Sequence, residues 1–433
     1  MKNIVKLLCV MSLLNGITAT AATDFSLFGA DVSLSGFGTA GFGISDQSYK
    51  YQRFVNNDGT FKRDSVLGGQ IDIKLNNEFS ITAQAKLAPS INSERDVDPM
   101  LTWAFLSWRP SNDLLFRGGR LRVPFYLHSE TTDIGETFDF ARLPVEVYSV
   151  SPLANIDGLS GNKTWDFDAG ELTLSGYVGA LENDVRLSPY NQPPLSAPAS
   201  YMQIDTKSYG LVLTFEHDDD IYRIGAHDSF SRRHDGQGME VTFPFVTIMP
   251  GVGYYQVSND MPGPGVPKVN EVRTISYVIG ADIGLGDDFR LVGEYVRRDV
   301  RNIVTGPDSQ GGYLALFKSF DNWTPYISMA HLQSMEKSLN LYRGLNGNTV
   351  PGVIPDAAIL NASQRATAAS VDIYDQTTWA IGTSYRLSPT SKLKAEWAIT
   401  KTGEASSFID TPIGGDSGDK LINVFSFSYN VAF

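Results

Sequence analysis

"LINVFSFSYNVAF", Leu421 to Phe433, is the stretch that decides the fold. Phe425, Phe427, Tyr429, Val431 and Phe433 share one parity, and Ser426, Ser428, Asn430 and Ala432 share the other. A period of two is that of a β-strand. Its length reaches the roughly 9–11 residues that a tilted strand needs to cross a bilayer. In a soluble sandwich so long an aromatic ladder would need a second sheet over it. In a transmembrane barrel it faces lipid.

The same signature recurs upstream in pairs. Alternating runs flank short turns at 76–78, 110–113, 168–171, 217–220, 286–288, 321–322 and 388–391, all rich in Asn, Asp, Gly, Ser or Pro. That is hairpin chemistry. Between the hairpins lie longer polar stretches at 46–64, 124–163, 181–206, 232–270, 335–373 and 402–419. Short turns at one end and long loops at the other is the asymmetry of an outer-membrane barrel, with short periplasmic turns and long extracellular loops. Seven hairpins, an opening strand at about Val32–Ser45 and the closing strand predict an all-β, antiparallel up-and-down transmembrane β-barrel of about 16 strands. The count becomes 18 if "MEVTFPFVTIMPGVGYYQV" (239–257) hides another hairpin in the wall.

The N-terminus and the composition agree with a membrane barrel. Lys2 and Lys6, an apolar run from Leu7 to Ile17 and small residues at 19–21 have the layout of a cleaved secretory signal over residues 1–21. The apolar run is too short for a spanning helix, which needs about 20 residues. Removal of that segment takes the only cysteine, Cys9, and two lysines. The 35 basic residues become 33 against 48 acidic, and the net charge moves from −13 to −15. Nothing suggests a thiolate site, and no basic face invites nucleic acid. Residues 22–433 then form one domain, with 11% aromatics and 40 glycines in the whole chain. No later run approaches the length of a transmembrane helix.

On these features the chain resembles the outer-membrane porins of Gram-negative bacteria, as architecture over the whole mature chain. The terminal Phe433, with Tyr429 and Val431 before it, is similar to the C-terminal signal such proteins present to the barrel-assembly machinery. The resemblance implies that the loop after the fifth strand folds inward and narrows the pore, setting acidic residues against a basic wall. "LLFRGGRLRV" (114–123) is the fifth strand by count. The implied constriction therefore draws on Arg120 and Arg122, which face the lumen if Leu121 and Val123 face lipid. It also draws on Glu130, Asp133, Glu136, Asp139 and Arg142 of the infolded loop at 124–163, with Lys163 at its end. Arg117 falls on the lipid parity in that reading.

Parity assigns further charges to the lumen wall: Lys74, Lys86, Arg223, Arg290, Glu294 and Lys394, together with Asp72, Asp166, Arg386, Lys392 and Glu396. Charge on the lipid side would cost about 2–4 kcal/mol at mid-depth. The five histidines make no ligand pair, and His227, Asp228 and Ser229 are consecutive strand residues that cannot converge. No catalytic constellation, metal site or cofactor is expected. The expected partners are outer-membrane lipid and lipopolysaccharide, the barrel-assembly machinery, two further copies in a homotrimer, and small hydrophilic solutes. The reading is passive diffusion of ions and such solutes through a water-filled channel. The alternatives are an anion-preferring, solute-selective channel, or a plugged barrel acting through its surface loops.

Overall fold

The computed structural model describes residues 23–27, 29–94, 97–150, 155–192, 195–410 and 416–433. The expected signal at 1–21 lies outside them. Sixteen antiparallel strands form the wall. They are β1 (Ala30–Ser45), β2 (Val66–Lys74), β3 (Phe79–Ala88), β4 (Asp98–Ser111), β5 (Leu114–Arg122), β6 (Asn155–Phe167), β7 (Gly170–Leu187) and β8 (Ser200–His217). The circuit continues with β9 (Asp220–Arg233), β10 (Val272–Gly286), β11 (Phe289–Val300), β12 (Ser309–Lys318), β13 (Trp323–Ser334), β14 (Tyr374–Ser388), β15 (Ser391–Ser406) and β16 (Leu421–Ala432). Each strand pairs with its sequence neighbour, and β1 pairs with β16 to close the ring. Closure leaves no free sheet edge, the condition for backbone in hydrocarbon.

The seam shows how the ends are matched. Residues Phe37–Ser45 of β1 pair with β16, while Asp31–Thr39 pair with β2. The Phe433 amide donates to Gly36 O at 2.8 Å, and the Gly36 amide donates back at 2.6 Å. A short segment, Thr23–Leu27, pairs with Ala30–Leu34 below the seam.

The wall has two unlike faces. On β12, Tyr313, Ala315 and Phe317 are buried towards the interior, while Leu314 and Leu316 are exposed on the outside. The same alternation exposes Ile279, Ile327, Trp379, Trp397 and Phe425. These residues form the apolar band of a lipid-facing surface. Aromatics gather near the turn end, where Trp108 stacks on Phe79 and Phe116, and Trp323 lies against Tyr385.

Three features of the loop end depart from the sequence reading. The segment 239–257 does contain a hairpin, Phe245–Met249 with Val252–Tyr255, but it forms its own two-stranded sheet and leaves the wall at 16. The stretch 335–373 is not irregular. It carries α2 (Glu336–Gly347) and α3 (Ala357–Ser370), which pack Leu339, Leu341, Leu345 and Ala368 against Phe243 and Val266 of the 234–271 loop. Its helices are hard to read from sequence because their Ala, Leu, Asn and Ser residues are flanked and interrupted by Gly and Pro, as a polar loop would be. Finally, the infolded loop ends sooner than 163, because β6 begins at Asn155.

Candidate functional site

The chain from Val123 to Val150 enters the barrel and builds a protein core inside it. Its Phe125, Tyr126, Phe138, Phe140, Val147 and Val150 are buried against inward residues of the wall. Phe140 sits among Phe317, Tyr326 and Tyr313, with ring centroids 4.9, 5.4 and 5.7 Å away and edge-on geometry. Burying such a side chain contributes about 1.5–3 kcal/mol, so the loop is seated by packing as much as by charge. A short helix, α1 (Val145–Tyr148), lies against β12 and β13.

Two glycines mark close approaches of the loop and the wall. A Cβ on Gly135 would fall 2.1 Å from Asn430 Oδ1 of β16. One on Gly311 of β12 would fall 2.1 Å from the carbonyl oxygen of Glu146. At Gly311 only glycine permits the approach, whereas a larger residue at 135 would have to displace the Asn430 side chain.

Polar fastening follows the packing. Asp133 accepts from Lys86 of β3 at 2.6 Å and from Arg122 at 2.8 Å. Asp139 accepts from Lys392 of β15 at 3.1 Å, from Arg290 of β11 at 3.0 Å and from Ser384 of β14 at 2.8 Å. Strands β3 and β11 stand 11 − 3 = 8 places apart in a ring of 16, on opposite sides. The loop therefore spans the lumen. Buried carboxylates act as acceptors: Glu294 receives the Leu127 amide at 2.8 Å, Tyr148 Oη at 2.6 Å and Tyr313 Oη at 2.9 Å. Glu146 of the loop receives Gln376 Nε2 at 2.7 Å and the Thr378 hydroxyl. Lys394 donates to the carbonyls of Gly135 and Phe140 and lies 4.0 Å from the Phe138 ring centroid. Arg223 donates to Tyr126 O and to Thr214.

The electrostatics of the loop follow from these contacts. Burial alone would raise the Asp133 carboxyl, but the charges and hydrogen bonds of Lys86 and Arg122 outweigh it and hold the group below 3.8. Asp139 is likewise held down, by Lys392 and Arg290 against the effect of burial. His128 is pushed down to about 4, first by burial and then by the charges of Arg290, Lys394 and Arg223.

The residues expected in a constriction fall into three groups. Asp133, Asp139 and Arg122 meet wall or loop partners as described, while Glu136 lies 4.0 Å from Lys392 and Glu130 lies 3.7 Å from Arg117. Arg142 reaches sideways to Asp64 of the first long loop instead of facing a gap. Arg120 is a correction. Its parity on β5 is that of Phe116 and Gly118, and Gly118 abuts Leu159 on the outer surface. There Arg120 makes a bidentate pair with Asp157 at 2.8 and 2.6 Å. Leu121 and Val123 point inwards, into the loop core.

Between Arg117 and Arg120 of β5 it is accordingly Arg117 that faces the lumen, lying over Phe105 in a turn-end vestibule of about 880 Å³ that Asp72, Lys74 and Arg109 also line. Lys163 is a second correction, for it lies on β6 and pairs with Asp113 near the turn. Tyr429, Val431 and Phe433 lie on the outward parity of the closing strand, opposite the buried Ser428 and Asn430.

Other titratable clusters lie away from the loop. His227 is buried inside with Tyr177 Oη 2.9 Å from its Nδ1, while Asp228 faces outwards to Arg273. On the outer rim Glu182, Asp205 and His234 bring ligand atoms within 4.8 Å of one another. Asp205 is already hydrogen-bonded to His234 at 2.8 Å and lies 3.6 Å from Arg232.

No family model matches the chain, and no curated protein sequence matches it. Solved structures do. Outer-membrane-expressed OmpT of Vibrio cholerae is 11% identical and aligns over 95% of this chain and 100% of its own, with a TM-score of 0.50. The outer membrane channel DcaP of Acinetobacter baumannii is 11% identical over 94% of this chain and 99% of its own, at 0.51. Pseudomonas putida OprB is 10% identical over 93% and 94%, at 0.51. The fold is that of the outer-membrane porins. At such identities the likeness speaks for architecture, and the lumen of this chain has to be read from its own residues.

Proposed function

We propose that this chain is an outer-membrane channel of the porin type that passes ions and small hydrophilic solutes passively, through a lumen narrowed by its crossing loop. The observation that carries the reading is the loop's attachment to opposite walls, through Asp133 to Lys86 and through Asp139 to Arg290 and Lys392. An eyelet that orients solutes needs opposite charges held apart across water. Here the loop acids and the wall bases touch, and their charges are largely spent on each other. The reading that follows is a restrictive channel, selecting by size and by local contacts, in place of a wide general pore with a strong transverse field.

The setting follows from the same reading. The apolar outer band suits lipid, and the outward pairs Arg120–Asp157 and Arg273–Asp228 suit the headgroup level, where lipopolysaccharide would lie. The closing strand with Phe433 serves the assembly machinery, and the chain trimerises as a homo-oligomer. DcaP is described as an outer membrane channel and one form of the Vibrio cholerae OmpT as a trimer, in keeping with both points.

Single-channel recording of the refolded protein in a planar bilayer tests the proposal. Small, stable steps that grow when the loop fasteners are removed are expected. A folded barrel that stays silent both with and without those fasteners would replace it with a plugged barrel that works through its loops.

A further inference from the structure

Above the crossing loop, on the β7–β11 side, the barrel encloses a second cavity of about 360 Å³. That falls within the roughly 300–1,000 Å³ of ordinary small-molecule sites. Phe125 of the crossing loop lines it from below, and Val371 and Asp372 at the end of α3 line it from the loop end. Its exposed lining is mainly apolar, with Val185, Met202, Ile204, Val272 and Ile303 standing beside hydroxyls such as those of Thr206, Ser231 and Ser276. An apolar chamber inside a polar channel calls for explanation, because free passage of hydrophilic solutes gains nothing from it.

Four charged residues line the chamber, and two of them are engaged elsewhere. Arg233 makes a double hydrogen bond to Asp235 at 3.1 and 2.5 Å. Glu240 pairs with Lys268 at 3.1 Å. The other two are Arg298 and Asp372.

Arg298 is 8% exposed and held from one side, donating to Val150 O at 2.6 Å and to Ser309 Oγ at 3.1 Å. Its Nε has no hydrogen-bond partner among the described residues. The Nε–H and the remaining Nη2–H form the planar fork that takes a carboxylate. A buried donor left in this state is costly unless a ligand completes it. Burial pushes the Asp372 carboxyl up, and the charge of nearby Arg298 opposes that rise. The chamber wall thus brings together a buried guanidinium with an unfilled donor, a carboxyl beside it and a mostly apolar exposed lining.

The geometry points to this chamber as a binding site for a small zwitterion with an aliphatic body, such as an apolar α-amino acid. The carboxylate would sit on the Arg298 fork, the ammonium on Asp372, and the side chain against Ile204 and Val272. A simple organic anion would meet Arg298 but also repulsion from Asp372. A simple amine would meet the reverse. The inference rests on the channel reading for its purpose, as the solute class of that channel. Binding itself needs no open path.

The test is calorimetric titration of the full-length refolded barrel in detergent with three probes of one shape: L-leucine, 4-methylpentanoate, which lacks the amine, and 3-methylbutylamine, which lacks the carboxylate. Leucine should bind, and each singly charged analogue should bind at least about tenfold more weakly, the loss of one charge-assisted hydrogen bond. Arg298→Gln should weaken leucine by a similar factor while the heat-modifiable folded band is retained. Asp372→Asn should weaken leucine but not 4-methylpentanoate. Equal affinity for all three probes, no leucine binding by the folded protein, or unchanged binding in Arg298→Gln would overturn the inference. A conducting channel that ignores leucine removes the inference and keeps the channel. A silent barrel that binds leucine does the opposite.

Discussion

At its loop end strand β5 alternates apolar and polar residues as β16 does, but the two bury their apolar residues in opposite directions. On β16, Phe425 and Phe427 look outwards to lipid and Ser426 and Ser428 look in. On β5, Leu121 looks inwards to Phe125, Phe140 and Ile156, while Arg120 stands outside with Asp157. The difference lies in what covers each strand. The part of the lumen facing β5 is filled by the crossing loop, which makes a dry core there, whereas inward Ser428 and Asn430 need polar partners. An apolar side chain avoids water, and lipid is only one of the places where water is absent.

The largest expected effect comes from placing a charge on each apolar face. Phe425→Lys puts an ammonium in the lipid band at a cost of about 2–4 kcal/mol, and should cut the yield of folded, heat-modifiable barrel severely. Leu121→Lys disturbs the seat of the loop but not the outer surface. It should give folded barrel with larger and noisier conductance. If both variants lose the folded band equally, the contrast between the two strands is wrong.

Next in size is release of the loop from its two opposite anchors. Asp133→Asn with Asp139→Asn removes the charges that Lys86, Arg122, Arg290 and Lys392 now contact. Breaking a buried pair costs about 3–5 kcal/mol because a charge is left unpaired, here on both sides of the lumen. The expected readout is a several-fold rise in single-channel conductance, with open-state fluctuations. Conductance equal to wild type would mean that packing around Phe140 alone holds the loop.

These contrasts also show which parts of the molecule the sequence makes legible. The barrel, its closing strand and its inward charges at Lys86, Arg223, Arg290, Glu294 and Lys394 follow from parity, because lipid or solvent covers the outside of those strands uniformly. The faces of β5 do not follow, because what lies inside the lumen there is decided by the loop at 123–150, whose packing no alternation records. For the same reason parity alone points to Arg120 for the lumen in place of Arg117. The chamber residues Arg298 and Asp372 had one available signal, the inward parity of Arg298 on β11. Asp372 follows α3, a helix whose sequence does not set it apart from the loop around it.

A smaller and sharper test separates the two arginines. Arg117→Glu reverses a charge in the turn-end vestibule and should move the reversal potential in a salt gradient towards cations. Arg120→Glu places a carboxylate beside Asp157 on the outer face, and should leave the reversal potential where it was while weakening the outer rim. An equal shift in both variants would restore Arg120 to the lumen.

The smallest effect is expected from pH, and its sign follows from the loop groups. Asp133 and Asp139 are held below 3.8, so the stability they lend is present above that value. It is lost only as pH falls through the still lower folded-state values. His128 behaves as a base pushed down to about 4, against 6.5 when free. Between 6.5 and 4 the unfolded chain takes up a proton that the folded one does not, so the barrel loses some stability over that window. The ring inside the loop meanwhile stays neutral, and the fasteners stay charged. Conductance should therefore be flat from pH 8 to about pH 5 while the unfolding temperature drifts down, and it should rise only in stronger acid, where the loop lets go. A conductance step centred near 6.5 would show that His128 is solvated, and hence that the loop does not seal against Tyr148 and Phe138 as its geometry requires.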